Sequence, residues 1–244
     1  MSFQNVPGGS GYGQPGDNRG VIINGQAQPA VQTAFLTQAF FWMFAGLLVT
    51  AAIAAFVQAN DSLLLFAARN ILILFLGQLA LVIGIQWAIP RVSATLALGL
   101  FFVYAASLGL TVGLIVSFYT SESVVAAFLS SSAMFGGAAI YGYTTKRSLA
   151  GMGGFLSMGL FGLIVAIGVN IFLGSGPLGF IIAIVGVVIF TALTAFDVQR
   201  ISAGNLVQAT GSVEKAAVMG ALHLYLDFIN LFLFLLRIFG SGRR

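Results

Sequence analysis

Two carboxylates stand inside strongly apolar sequence. Asp227 lies within AAVMGALHLYLDFINLFLFLLRIFG at 216–240, and Asp197 lies within VIFTALTAFDVQRIS at 188–202. An ionisable group within a membrane-spanning helix is costly, so it faces a bundle interior or a water-filled path and marks function. Around Asp227 the polar residues keep to one helical face. Gly220, His223, Asp227, Asn230, Phe234 and Arg237 follow one another at steps of 3, 4, 3, 4 and 3. The remaining faces are Leu, Phe, Ile and Val, which predicts that lipid covers them while the stripe turns inward. Thr191, Thr194 and Asp197 make a shorter stripe on the preceding segment.

The chemistry depends on whether the two aspartates meet. Side by side in a low dielectric they cannot both ionise cheaply, so they would share a proton and titrate as a unit. Ionised, they offer hard oxygens to Ca²⁺, which takes about 6–8 oxygen ligands. Two aspartates fall short of that number, so Asn230, backbone carbonyls or water must supply the rest. A site this lean suits a conduction path better than a store. Depth limits the pairing: Asp197 is near the end of its segment, and Asp227 is about 11 residues, or about 16 Å, into the next. They come level only if the sixth helix runs on through Ile201 or the seventh begins outside the lipid. Paired and separate arrangements both stay open at this point. For Asp227 the alternative is a buried helix–helix hydrogen bond, and for Asp197 a helix-end contact to Arg200 or Arg91. His223, one turn from Asp227, is either a modulator of its charge or a packed core histidine. Arg237 is expected to snorkel to the interface.

The setting that must position these groups is a membrane. Of 244 residues, 59% are hydrophobic and only 7% charged, and the mean hydropathy is +1.04. A soluble domain carries roughly 25% charged residues, so this chain cannot clothe a water-facing surface. There is no cysteine and a single histidine, which excludes disulfides, thiolate metal sites, cysteine nucleophiles and multi-histidine metal centres. The net charge of +4 comes from scattered Lys and Arg at segment ends, which reads as topology rather than nucleic-acid binding.

Residues 1–32, rich in Gly, Pro, Gln and Asn, read as a flexible tail without the pattern of a cleaved signal peptide. Residues 33–240 form the transmembrane domain, and 241–244 a short basic C-terminus. Seven apolar stretches, at 34–57, 63–89, 92–119, 124–143, 149–173, 177–196 and 216–239, are each near or above the roughly 20 residues that cross a bilayer. Arg69 and Asn70 interrupt the start of the second. With the N-terminus inside, Arg91, Lys146, Arg147, Arg200 and Lys215 all fall on the cytoplasmic side, while the outer loops hold Asp61 and Glu122. Seven crossings then put the C-terminus outside, unless the last segment is re-entrant. Gly136-Gly137, Gly151, Gly153-Gly154, Gly159 and Gly162 predict close helix packing.

At the two aspartates the chain resembles a known family. LYLDFINLFLFLLRIFG at 224–240 is similar to the last-helix signature of the transmembrane Bax inhibitor motif family, and TAFDVQRI at 194–201 to its penultimate-helix motif. FFVYAASLGLTVGLI at 101–115 fits its third helix. The similarity runs from about Phe35 to Gly240, and the short loops and free tail resemble bacterial members. It implies an all-α bundle of seven transmembrane helices with the last helix central. It also implies a Ca²⁺ leak gated by pH, with Asp197 and Asp227 as sensor and as ligands to the passing ion. A basic residue near the end of helix two latches onto that pair in the family. Arg91 is the candidate here, although it follows Pro90. Some relatives carry an acidic residue in helix two where this chain has Gln78, a loss that would weaken Ca²⁺ coordination or shift selectivity.

The expectation is therefore a multi-pass inner-membrane protein with its N-terminus in the cytoplasm. It is not an enzyme, needs no cofactor, and has the bilayer, transported Ca²⁺ and other membrane proteins as partners. A proton-coupled cation transporter uses intramembrane carboxylates equally well, but internal repeats and broken helices are not evident. A regulatory protein that binds stress or membrane quality-control machinery is also compatible. An intramembrane aspartyl protease fits worse, because the contexts AFDVQ and YLDFI lack a Gly-x-Gly-Asp pattern.

Overall fold

Serine and threonine caps start four of the long helices. Ser93, Thr120, Ser175 and Ser212 each accept a hydrogen bond from the main-chain N–H three residues on, which satisfies a donor the helix cannot. The structure is a computed structural model that describes residues 22–23, 26–27 and 29–240. Helices α1 (Pro29–Gln58), α2 (Asp61–Arg69), α3 (Ile71–Ala88), α4 (Ala94–Ser117) and α5 (Ser121–Thr144) are followed by α6 (Gly153–Leu173), α7 (Gly176–Ser202), α8 (Asn205–Thr210) and α9 (Val213–Phe239). Ile22–Ile23 and Gln26–Ala27 form a minimal antiparallel ladder. The rest of the expected tail before Pro29, and the basic C-terminus, lie outside the described residues.

Seven of these helices (all but α2 and α8) are long and apolar enough to cross a membrane. The helix α9 is the axle. It packs against α1, α5 and α7, with α4 and α8 completing its surround, while α3 leans on α4 and α6 on α7. In the most apolar stretch of α9, 72% of residues are buried, against 11% for α6 and 17% for α3. Phe155, Phe161 and Phe172 on α6 and Ile73 on α3 point outward, as lipid-facing side chains do. The expectation that lipid covers the apolar faces of the last helix is thus corrected. Leu222, Leu224, Tyr225, Phe228, Leu231 and Leu236 are all buried by neighbouring helices.

Three boundaries differ from the sequence reading for physical reasons. The second segment is two helices. Asn70, with φ −112° and ψ 17°, leaves the helical path, and its side-chain and main-chain N–H groups both bond the Phe66 carbonyl. The short α2 carries Asp61 and Arg69 and buries only Ala67, and α3 makes the crossing with 18 residues, about 27 Å. The fifth crossing, α6, starts at Gly153, after a 3₁₀ turn at Ala150–Met152. The sixth crossing runs on to Ser202 because Val198 and Ile201 bury themselves in the bundle.

Close packing falls on other glycines than expected. Gly136, Gly137, Gly151, Gly154 and Gly162 face open space, and only Gly153 and Gly159 of that set approach a neighbour. The tight crossings are at Gly109 and Gly113 of α4, pressed on Thr50–Ala54 of α1, at Gly142 of α5 on Ala195 of α7, and at Gly186 of α7 under Phe234 of α9. In lipid, apolar burial does not drive helices together, so such close approach carries the association. Gly142→Ala would drive a methyl into the Ala195 carbonyl and is expected to destabilise the protein by about 1–3 kcal/mol. Gly137→Ala, in open space, should be neutral or slightly stabilising. Thermal unfolding in detergent separates the two.

Candidate functional site

Helices α7 and α9 run antiparallel with a constant register. Ile201 packs on Gly220, Asp197 on His223, Thr194 on Asp227, Phe234 on Gly186, and Arg237 on Gly179. Each step along α7 is thus matched by a step back along α9. The two helices lie alongside one another over this whole length, and α9 is one unbroken helix of 27 residues, long and apolar enough to cross a membrane. The extension of α7 past Ile201 is the condition that brings the aspartates near the same depth. They do not sit face to face: Asp197 is level with His223, and Asp227 with Thr194. One helical turn, about 5.4 Å along the axis, separates them.

Both carboxylates are buried, Asp227 with 3% and Asp197 with 8% of its surface exposed. They are close enough to act electrostatically on one another. Thr194 lies beside Asp227 and donates its one hydroxyl proton to the Phe190 carbonyl of its own helix at 2.8 Å, while Asp227 Oδ2 is buried without a partner. Asp197 Oδ1 lies 3.7 Å from His223 Nδ1, beyond hydrogen-bond range but within that of an ion pair once the ring is protonated. His223 Nδ1 is likewise buried and unbonded. Arg200, one turn from Asp197 on α7, adds its charge to the field at both Asp197 and His223. The arrangement is a short ladder of three titratable groups with two unfilled hydrogen-bond positions, suited to holding and passing a proton.

Among the described residues no three His, Cys, Asp or Glu side chains converge as a metal would require. Two carboxylates and a threonine hydroxyl fall well short of a Ca²⁺ shell.

Two of the expected supporting residues are placed elsewhere. Asn230 turns its amide back to the Leu226 carbonyl on its own helix. Arg91 is exposed. Its guanidinium lies over the Trp87 ring, 4.0 Å from the centroid, and bonds the Trp87 carbonyl, so it does not latch the carboxylates. The turn at Pro90 aims it away from the core. Gln78 is committed to α4, where it donates to the Ser107 carbonyl at 2.8 Å and exchanges hydrogen bonds with Thr111.

The chain matches the family model described as "Inhibitor of apoptosis-promoting Bax1" over residues 32–244. The chain belongs to the Bax inhibitor family. It is 42% identical over 224 residues to the "Inner membrane protein YbhL" of Escherichia coli (strain K12), covering 89% of this chain and 95% of that one. A protein of Borreliella burgdorferi is 41% identical over 218 residues, covering 87% and 94%. The "Uncharacterized membrane protein SpyM3_0260" of Streptococcus pyogenes is 44% identical over 154 residues, covering 62% and 66%.

This Bax inhibitor family member also contains a polar knot that the sequence reading missed. Tyr225, two residues before Asp227 and fully buried, places its hydroxyl 2.6 Å from Thr50 Oγ1 of α1. Thr50 is 2.9 Å from the Ala105 carbonyl of α4 and 3.1 Å from the Gly46 carbonyl. Its single proton goes to one of these carbonyls, so Tyr225 donates to Thr50. Phe101 and Tyr104 pack edge-on against the Tyr225 ring. The available signal was Thr50 itself, the one hydroxyl in the apolar run 39–57. Thr50→Val leaves the Tyr225 hydroxyl stranded and is expected to destabilise by about 1–3 kcal/mol. Adding Tyr225→Phe, which removes the second partner, should recover part of that loss in a detergent unfolding cycle.

Proposed function

We propose that this protein is a pH-gated Ca²⁺ leak of a bacterial inner membrane, with its N-terminus in the cytoplasm and Asp197 and Asp227 as sensor. The observation that carries the reading is the carboxylate ladder: two buried aspartates one turn apart on packed central helices, with an orphaned oxygen on Asp227. Two negative charges at that separation in a poor dielectric repel, and one proton relieves the repulsion. The protonation state therefore biases how closely α7 and α9 lie at this level. His223, next to Asp197, modulates that balance. When ionised, the pair offers oxygen ligands to a cation in transit, too few to retain it, which is what conduction requires. The reading includes no enzymatic step and no resident cofactor. The basic loop residues Lys146, Arg147, Arg200 and Lys215, which fall at one end of the bundle, support the cytoplasmic orientation of that end.

The test is passive Ca²⁺ flux in proteoliposomes between about pH 5 and 8, the range in which histidine and coupled carboxylates titrate. The wild type is expected to pass Ca²⁺ with a rate that titrates. Asp227→Asn and Asp197→Asn should each flatten the response, and His223→Leu should move its midpoint without flattening it. Absence of flux at every pH would remove the channel, and an unchanged pH response in both aspartate variants would remove the sensor.

A further inference from the structure

At the end of the bundle opposite the carboxylates, α4, α6, α7 and α9 leave a cleft of about 500 Å³. Ile115, Ile167, Ile182 and Phe234 give it apolar walls. Tyr119 and Ser175 also reach it, and two further polar groups in its lining decide its chemistry. The first is Arg237, whose guanidinium lies where a Cβ on Gly179 would collide with it, so the absence of a side chain at 179 makes its seat. Among the described residues no carboxylate pairs with Arg237. Arg237 is itself exposed, near the end of α9. The second is Asn170, whose Oδ1 is buried without a hydrogen-bond donor.

The location bears on what fills the cleft. Helix α4 ends at Ser117, α6 at Leu173 and α9 at Phe239, and α7 begins at Gly176, so the cleft sits where four spans leave the hydrocarbon. Tyr119, of a residue type enriched at that depth, is in its lining. Phe172 on the adjoining face of α6 is 92% exposed, so lipid reaches the rim. An unpaired guanidinium calls for an anion, preferably a phosphate that it can grip with two donors. The orphaned Asn170 oxygen calls for a hydroxyl or amine donor. The apolar walls call for a hydrocarbon chain.

We propose that the cleft binds one acidic, hydroxyl-bearing glycerophospholipid, of the phosphatidylglycerol type. Its phosphate rests on Arg237, a headgroup hydroxyl donates to Asn170 Oδ1, and an acyl chain lies along Ile115, Ile167 and Phe234. A choline headgroup fails on both counts, because it brings a cation toward Arg237 and has no donor for Asn170. The assignment is independent of whether the protein conducts Ca²⁺.

The test is native mass spectrometry of the full-length protein in detergent, titrated with phosphatidylglycerol, phosphatidylmethanol and phosphatidylcholine of matched chains. Phosphatidylglycerol should be retained best. Arg237→Gln should weaken it roughly fivefold, the effect of losing one basic contact near the membrane surface. Gly179→Ala keeps the charge but displaces it from its seat and should act in the same direction, which covers the case that Arg237→Gln does not fold. Asn170→Leu should abolish the preference for phosphatidylglycerol over phosphatidylmethanol while leaving both above phosphatidylcholine. Equal retention of phosphatidylglycerol and phosphatidylcholine by the wild type, or undiminished retention in the Arg237 and Gly179 variants, would overturn the proposal. So would displacement of the lipid by millimolar glycerol 3-phosphate, which would make the cleft a site for a soluble anion.

Discussion

A helix enclosed by other helices has neither water nor lipid to absorb its errors. That constraint governs α9. Each polar atom on it must find a partner within the bundle or remain unpaired at a cost of about 1–3 kcal/mol. Most are satisfied: Tyr225 by Thr50, and Asn230 by its own helix. The exceptions are His223 Nδ1 and Asp227 Oδ2, adjacent turns of the same helix and both next to α7. Unsatisfied groups tolerated at the most enclosed place in a protein indicate that something other than stability keeps them there. The candidate site is thus marked by where the packing rules are broken as much as by the residue types.

The register of α7 against α9 converts that local oddity into geometry. Close contacts at Gly186 and Gly220 clamp the two helices above and below the carboxylates, so the Asp197–His223 and Thr194–Asp227 levels cannot slide independently. Gly142 of α5 presses on Ala195 between those levels from the other side. A change in charge on either aspartate therefore acts on a held pair of helices, not on a loose side chain. On the proposed reading, this is what allows a proton to move backbone.

Much of this was legible in the sequence, and what was not has physical reasons. Seven apolar segments appear because lipid demands continuous apolar length, so the class and crossing number follow from composition and run length. Asp197 and Asp227 stand out because charge is rare there. The glycine reading held only at Gly153 and Gly159, because a glycine's partner lies on another helix: Gly136 and Gly137 face open space, while Gly109 and Gly142, equally plain in sequence, carry crossings. The apolar faces of α9 look the same whether lipid or protein covers them, so amphipathicity misassigned them. Arg91 was drawn to the site by resemblance, and the turn at Pro90 sends it elsewhere. Tyr225 escaped because tyrosine reads as apolar in a periodicity argument, although its hydroxyl joins α1 to α9.

The leanness of the carboxylate site constrains the mechanism further. On the proposed reading a full oxygen cage around the central helix would hold Ca²⁺ and stop its passage, and it would require several more buried polar groups than the described residues place there. A pair of carboxylates one turn apart cannot chelate an ion tightly, yet it cannot carry two charges without strain either. On the proposed reading one proton relieves the repulsion within the pair, and a passing cation favours the state without that proton. On that reading proton and cation compete for the same two side chains, and linkage requires that each weaken the binding of the other. A sensor and a cation path made of the same residues need no separate wire between them, which accounts for how one short polar stretch of α7 and α9 could serve both purposes in an otherwise apolar protein.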